Sequence, residues 1–295
     1  MKKVIALLCA SVFTISAYSA DWFIEKNALT STHQHLLEGD TDKAFTSLVE
    51  VWQNYPSTNR SEHLDQLLNK ALEVDCGKGF SKGLLPAWLS SLVIRRQVVQ
   101  SPGRLHHKLI VDAKSSSKLS LVSVLQWPEQ VNIINAVPEV KEGKQVPDGQ
   151  MRYVVQTEQL NQRLKSGLYK VVLETDSSQR WESWVVMAEP NVKESVRWDS
   201  KRTWITNKTG LLNEFCPLPV MTVSLYDVED GEYHESWSEM FEKNYPVKLP
   251  DINLPADRYV LSVSLAQKRW QGNISIEDVQ IIAKTIDWDE EVPSK

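Results

Sequence analysis

Three short motifs carry residue types that could do covalent chemistry. Gly79, Ser81 and Gly83 match G-x-S-x-G, the turn that exposes a nucleophilic serine. That turn needs a strand before the serine, a helix after it and a parallel sheet beneath. The sequence on both sides reads as helix, so a flexible interhelical turn is the better reading. Ser115 with Lys118 matches S-x-x-K, and Lys208-Thr209-Gly210 matches K-T-G, two signatures of penicillin-binding enzymes. There the serine should open a helix. Here it sits in a polar turn between strand-like runs, no S-x-N separates the motifs, and the spacing is too short for that fold. The histidines at 33, 35, 63, 106, 107 and 234 have no zinc spacing. His106 and His107 are adjacent in a strand and point to opposite faces, and His33 and His35 are poorly placed to share a helix face. No catalytic residue, metal ligand or cofactor is expected.

Binding chemistry is better represented. Asp227 to Glu242 holds seven carboxylates, at Asp227, Glu229, Asp230, Glu232, Glu235, Glu239 and Glu242, interleaved with Tyr233, Trp237 and Phe241. Asp230-Gly231 is a hairpin signal. The stretch reads as a charged hairpin whose aromatics face the core, or as an acidic-aromatic surface for a basic partner. The chain has 11 tryptophans. Trp181 and Trp184 are three apart and face opposite sides of a strand. Trp184 is the exposed candidate for stacking on a sugar, unless a further layer lies beneath it. The candidate binding surface is therefore Trp184, Tyr233, Trp237 and Phe241.

Positioning these residues requires two kinds of element. From 21 to about 100 the chain reads as helices. Leu64, Leu67, Leu68, Ala71 and Leu72 form an amphipathic stripe, and a last helix is expected over Leu84–Gln100 with Pro86 in its first turn. Around Gly39-Asp40 the turn followed by Ala44, Leu48 and Val51 looks like the second half of a tetratricopeptide repeat, or an ordinary helical hairpin. From Leu105 the period changes to two, and short strands follow one another without intervening helices, which argues against a parallel βαβ sheet. Leu164 to Tyr169 and Leu254 to Tyr259 have the same spacing, each followed by a strand, a turn and an Arg-Trp pair (Trp181, Trp270); the tyrosines lie 90 apart and the tryptophans 89. This predicts duplicated sandwiches of immunoglobulin size, with Trp181 equivalent to Trp270.

The composition narrows the setting. A basic start at Lys2-Lys3, an apolar run over Val4–Ile15 and small residues at Ala17, Ser19 and Ala20 form the pattern of a secretory signal peptide. Cleavage is expected near Ser19 or Ala20. Cys9 lacks the Gly or Ala that a lipobox places before it. Without Lys2 and Lys3 the chain has 31 basic and 38 acidic residues, which disfavours nucleic acid and anionic membranes as partners. Only 11 glycines disfavour a phosphate-cradling loop. No later run is long enough to span a membrane. Once Cys9 leaves with the signal peptide, Cys76 and Cys216 remain, an even number in an oxidising compartment. They are expected to form one disulfide that clamps the helical part onto the last β domain. Unpaired thiols or pairing between chains are the alternatives.

The signal, the LLEGDTDKAF helix pair, the RLHHKLIVDAKSSSKLSLVSVLQWP entry into the β region and the LYKVVLE and RWESWVVM block together resemble the domain of unknown function 2861 family of secreted bacterial proteins. The resemblance covers nearly the full chain. It implies an envelope role and no particular chemistry. The fold expected is α+β: a signal peptide over 1–20, TPR-like helical hairpins over 21–103, β-sandwich-like (Ig-like) domains over 104–190 and 191–288, and a tail over 289–295. The role expected is non-enzymatic, a periplasmic or secreted protein-binding or accessory module that contacts an envelope or periplasmic protein. The alternative is polysaccharide or peptidoglycan binding through exposed aromatics.

Overall fold

The computed structural model describes residues 27–55, 61–81, 83–140, 149–200 and 202–288. The segments expected to be a signal peptide, 1–20, and a tail, 289–295, lie outside the described residues. Helix α1 spans Ala28–Leu37, α2 Thr41–Asn54 and α3 Ser61–Asp75. The Asn27 side chain caps α1 by accepting from the Thr30 amide, and Asp40 caps α2 by accepting from the Lys43 amide, each satisfying an amide the helix cannot. Gly39, at φ +74°, makes the turn between them. The expected apolar faces are buried: Ala44, Leu48 and Val51 of α2, and Leu64, Leu67, Leu68, Ala71 and Leu72 of α3.

The helix expected over Leu84–Gln100 is instead strand β1, Leu89–Ser101, so the helical layer ends with α3. The period-two pattern is disguised. Leu92, Ile94, Arg96 and Val98 share one face, and an arginine is accommodated there because a carboxylate on a neighbouring strand pairs with it. The strands that follow are β2 Arg104–Ser115, β3 Leu119–Gln126, β4 Val131–Ala136, β5 Met151–Gln156, β6 Gly167–Thr175, β7 Arg180–Met187, β8 Glu194–Trp198, β9 Trp204–Lys208, β10 Val220–Glu229, β11 Glu232–Phe241, β12 Asp257–Gln271 and β13 Ile274–Trp288.

They form a seven-stranded sheet, β11-β10-β12-β13-β1-β2-β5, a four-stranded sheet, β4-β3-β6-β7, and the pair β8-β9. One face of the large sheet supports two cores in succession. Ile274 and Ile276 at the start of β13, with Leu92, Ile94, Leu109 and Val111, pack against Val122, Val124, Tyr169, Val171 and Val185 of the four-stranded sheet. Ile282 and Ile286 farther along β13, with Val223, Leu225, Leu261 and Val263, pack against Val196 of β8 and Trp204 of β9. The helices cover the outer side of the four-stranded sheet, against Leu168, Val186 and the half-buried Trp127 and Trp184.

The two β regions share one topology. In the first, β4-β3-β6-β7 lie side by side; in the second, β11-β10-β12-β13 do, with the same chain order at each place and antiparallel pairing throughout. Tyr169 opens β6 and Tyr259 opens the equivalent β12. Each hydroxyl donates to the carbonyl four residues earlier, Lys165 at 2.6 Å and Pro255 at 3.1 Å. Burial pushes the Tyr169 hydroxyl up to about 12. Matching the tyrosines by register aligns Val124 with Leu225, and a β-bulge follows each. The Arg-Trp correspondence fails. Trp181 lies on β7, Trp270 at the end of β12, and the register counterpart of Trp181 is Ile282. β12 simply runs longer than β6 and carries Trp270 past the point where the first unit has already turned.

Candidate functional site

The sequence motifs do not assemble into a catalytic centre. Ser81 lies in the turn between α3 and β1, with φ +47°, and not between two helices. Ser115 is buried and its hydroxyl donates to the Ser117 carbonyl. Lys118 pairs with Asp176 and Lys208 with Glu194, on different β units. His33 and His63 bring their Nε2 atoms to 3.3 Å between α1 and α3, but no group of three or more metal-ligating residues occurs among the described residues. No described helix is long and apolar enough to cross a membrane.

The four aromatic candidates occupy different places. Trp184 is half-buried beneath the helical layer, edge-on to Trp127 at 5.6 Å, with Lys170 over its ring. It is not an open stacking platform, because the helices form the further layer on that side of the strand. Trp237 and Phe241 pack against the second core. Tyr233 is exposed and stands edge-on to Tyr226 at 6.5 Å. The carboxylates between them lie on β10 and β11, joined by a hairpin whose Asp230 and Gly231 both have positive φ, 52° and 85°, as a two-residue turn of this kind requires. β11 is the edge of the large sheet.

Cys76 and Cys216 are bonded, with Cα atoms 5.1 Å apart and a sequence separation of 140. This joins the C-terminal end of α3 to the loop before β10. The same helix end meets the β12–β13 turn: the Trp270 amide donates to the Cys76 carbonyl and the Gly272 amide to the Gly77 carbonyl, both at 2.9 Å. A Cβ on Gly77 would lie 2.0 Å from the Trp270 carbonyl oxygen, so only glycine fits there.

Beside this junction the sheet face between the two cores is polar. Arg96 and Asp278 are register partners across the parallel β1–β13 seam. The Arg96 Nε and Nη2 donate to Asp278 at 2.6 and 2.9 Å, and Nη1 donates to the Ala188 carbonyl at 2.6 Å. On the other face Arg95 pairs with Glu277 in the same way, at 2.8 Å. Among the described residues no carboxylate pairs in this way with Arg269 on β12. Its Nη2 donates to the Val186 carbonyl at 3.1 Å, and its Nη1 is buried without a partner. Burial lowers its pKa to about 10, with Arg96 adding to the effect and the nearby Asp278 and Asp65 opposing it, so the group remains cationic at neutral pH. Asp65 nearby spends one oxygen on the Glu189 amide, and burial raises its pKa.

Above Arg96, Asp278 and Arg269 opens a cleft of about 780 Å3. Its walls are α3 (Leu68, Leu72), the 188–193 linker and the disulfide-tethered 211–219 loop. Sequence reading missed Arg96, Asp278 and Arg269. The available signal was a charged residue at an inward position of an otherwise apolar alternation, as in Leu92, Ile94, Arg96 and in Ile274, Ile276, Asp278.

A search of curated proteins finds no match. Among solved structures the chain is similar to the crystal structure of murine CEACAM1b, with 10% identity, coverage of 68% of this chain and 99% of that chain, and a TM-score of 0.19. A score that low supports no statement about partner or role. The family model described as "Protein of unknown function (DUF2861)" matches residues 22–287. With that match spanning most of the sequence, the chain belongs to the DUF2861 family.

Proposed function

We propose that this protein is a non-enzymatic, extracytoplasmic protein-binding module, exported through a cleaved signal peptide to the periplasm or beyond, and that the edge strand β11 makes the contact. The observation that carries this reading is the edge itself. Ten residues, Glu232–Phe241, are almost all exposed and pair on one side only. An unpaired edge offers a row of backbone donors and acceptors to an incoming extended segment. Glu232, Glu235 and Glu239 on β11, with Asp227 and Glu229 opposite, would repel the same edge of a second copy. The partner is therefore a protein with a basic extended segment. Immunoglobulin-like sandwiches and a TPR-like hairpin, the finer reading of the fold, are architectures often used for docking, though fold alone does not assign a role.

The test is capture from envelope extract by the mature protein, compared with a Glu235→Lys, Glu239→Lys variant. Salt-sensitive capture of a partner that the variant loses supports the reading. Equal capture by both proteins, or retention on insoluble peptidoglycan in place of protein capture, overturns it. The glycan reading draws less support, because Trp184 lies under the helices and Trp237 and Phe241 serve the core.

A further inference from the structure

We propose that the cleft between α3, the 188–193 linker and the 211–219 loop binds an amphiphilic anion, an acidic head on an apolar chain, and that the Cys76–Cys216 disulfide holds the outer wall of the cleft in place. The site is separate from β11 and does not depend on the docking reading.

Charge on the cleft lining is unevenly compensated. Asp278 is taken by Arg96, Glu189 by Arg163 and Glu73 by Lys70. Among the described residues no carboxylate forms an ion pair with Arg269, Lys193 or Lys268, all of which line the cleft. Glu214 on the rim is the one acidic lining residue without an ion pair among the described residues; it is exposed and screened by water. Arg269 is different. Its buried guanidinium is poorly screened, so its field reaches into the cleft even where Nη1 itself is covered. In a chain with a net charge of -5, this is a local positive site with a specific origin.

The rest of the lining is apolar. Leu72, Ala188, Pro190, Leu212 and Pro219 contribute to it, and Leu211 and Phe215 are 89% and 49% exposed. Large exposed apolar side chains on one loop mark a surface that takes a partner. The volume falls within the roughly 300–1,000 Å3 of small-molecule sites. An inorganic anion would leave Leu211 and Phe215 in water, and an uncharged lipid would leave Arg269, Lys193 and Lys268 without an ion pair. A ligand with both features satisfies both walls.

The 211–219 loop is tied to α3 at two points. The Asn213 side-chain Nδ2 donates to the Leu72 carbonyl at 2.7 Å, and Cys216 is bonded to Cys76. The Tyr245 hydroxyl holds the far end of the loop by donating to the Pro219 carbonyl, but opening the disulfide leaves a single hydrogen bond between the wall and α3, which makes the site sensitive to reduction.

The test uses the oxidised mature protein with hexadecanoate, hexadecyl phosphate and hexadecanol as probes, followed by calorimetry and by tryptophan fluorescence. One equivalent of either anion should bind at least about tenfold more tightly than the alcohol. Lys193→Glu with Lys268→Glu should weaken the anions about tenfold and leave the alcohol unchanged. Leu211→Asp with Phe215→Asp, at exposed positions, should weaken all three probes. Reduction of the disulfide should weaken anion binding while circular dichroism stays native. The two anions together distinguish a carboxylate from a phosphate head. Binding of several equivalents, equal binding of alcohol and anions, or indifference to both double variants overturns the site. Unchanged anion affinity after verified reduction overturns the role of the disulfide. None of these outcomes involves β11.

Discussion

In the first β unit, the sheet β4-β3-β6-β7 is closed by β1, β2 and β5 together with the start of β13. In the second, β11-β10-β12-β13 is closed by the β8-β9 hairpin and a single bridge, Thr203 to Lys248, where the first unit has β5. The Trp204 amide donates to the Val247 carbonyl at 2.9 Å and anchors that remnant. The two units therefore repeat one plan, but the second has lost most of one layer. Trp204, fully buried, fills the space with one large side chain. The first unit's closing strands meanwhile continue the second unit's sheet through the parallel β1–β13 seam. A unit with a reduced layer is stabilised by what it is fastened to: the seam, the Gly77–Gly272 contact and the disulfide.

The largest way to break that comparison is to remove the disulfide. Cys76→Ser with Cys216→Ser releases a loop of 140 residues and should cost up to about 5 kcal/mol in denaturant unfolding. Hydrogen exchange should accelerate more at the β8 and β9 amides than at β3 and β6. Equal acceleration in both units would show that the second does not depend on its fastenings. The seam comes next. Arg96→Met strands Asp278, whose side chain is 16% exposed, and should destabilise by about 3–5 kcal/mol. Adding Asp278→Leu should recover most of that loss, because an apolar pair avoids the desolvation cost. Failure of the double variant to recover would mean that the ion pair specifies the seam as well as neutralising it. The smallest effect sharpens the repeat itself. Tyr169→Phe and Tyr259→Phe remove equivalent hydrogen bonds. The first, at 0% exposure and 2.6 Å, should cost about 1–1.5 kcal/mol; the second, at 4% and 3.1 Å, about 0.5–1. A reversed order would deny that burial separates the two corners.

Where the local pattern was strong, the fold was legible. The α2 and α3 stripes, the change to a period of two from Leu105 onward, and the Asp230-Gly231 turn all stand where residue spacing places them. β1 was misread as helix because Arg96 interrupts its apolar alternation. β11 shows almost no apolar alternation, being exposed, and was legible only through its turn. The repeat was legible through Tyr169 and Tyr259, whose side chains serve a local hydrogen bond. It was not legible through Trp181 and Trp270, because a shared dipeptide says nothing about where a strand turns.

The candidate sites divide in the same way. The acidic character of 227–242 follows from residue types alone, and the pairing of Cys76 with Cys216 was legible as the one pairing left if Cys9 departs with the expected signal peptide. That Trp184 is covered, that Arg269 forms no ion pair among the described residues and that Asp278 meets Arg96 depend on tertiary contacts, those of Arg269 and Arg96 joining residues 83 and 182 positions apart in sequence. Spacing along the chain encodes which face a side chain takes within its own helix or strand. It does not encode which element arrives opposite that face, and at the β1–β13 seam that arrival decides which charges are neutralised and which are left to attract a ligand.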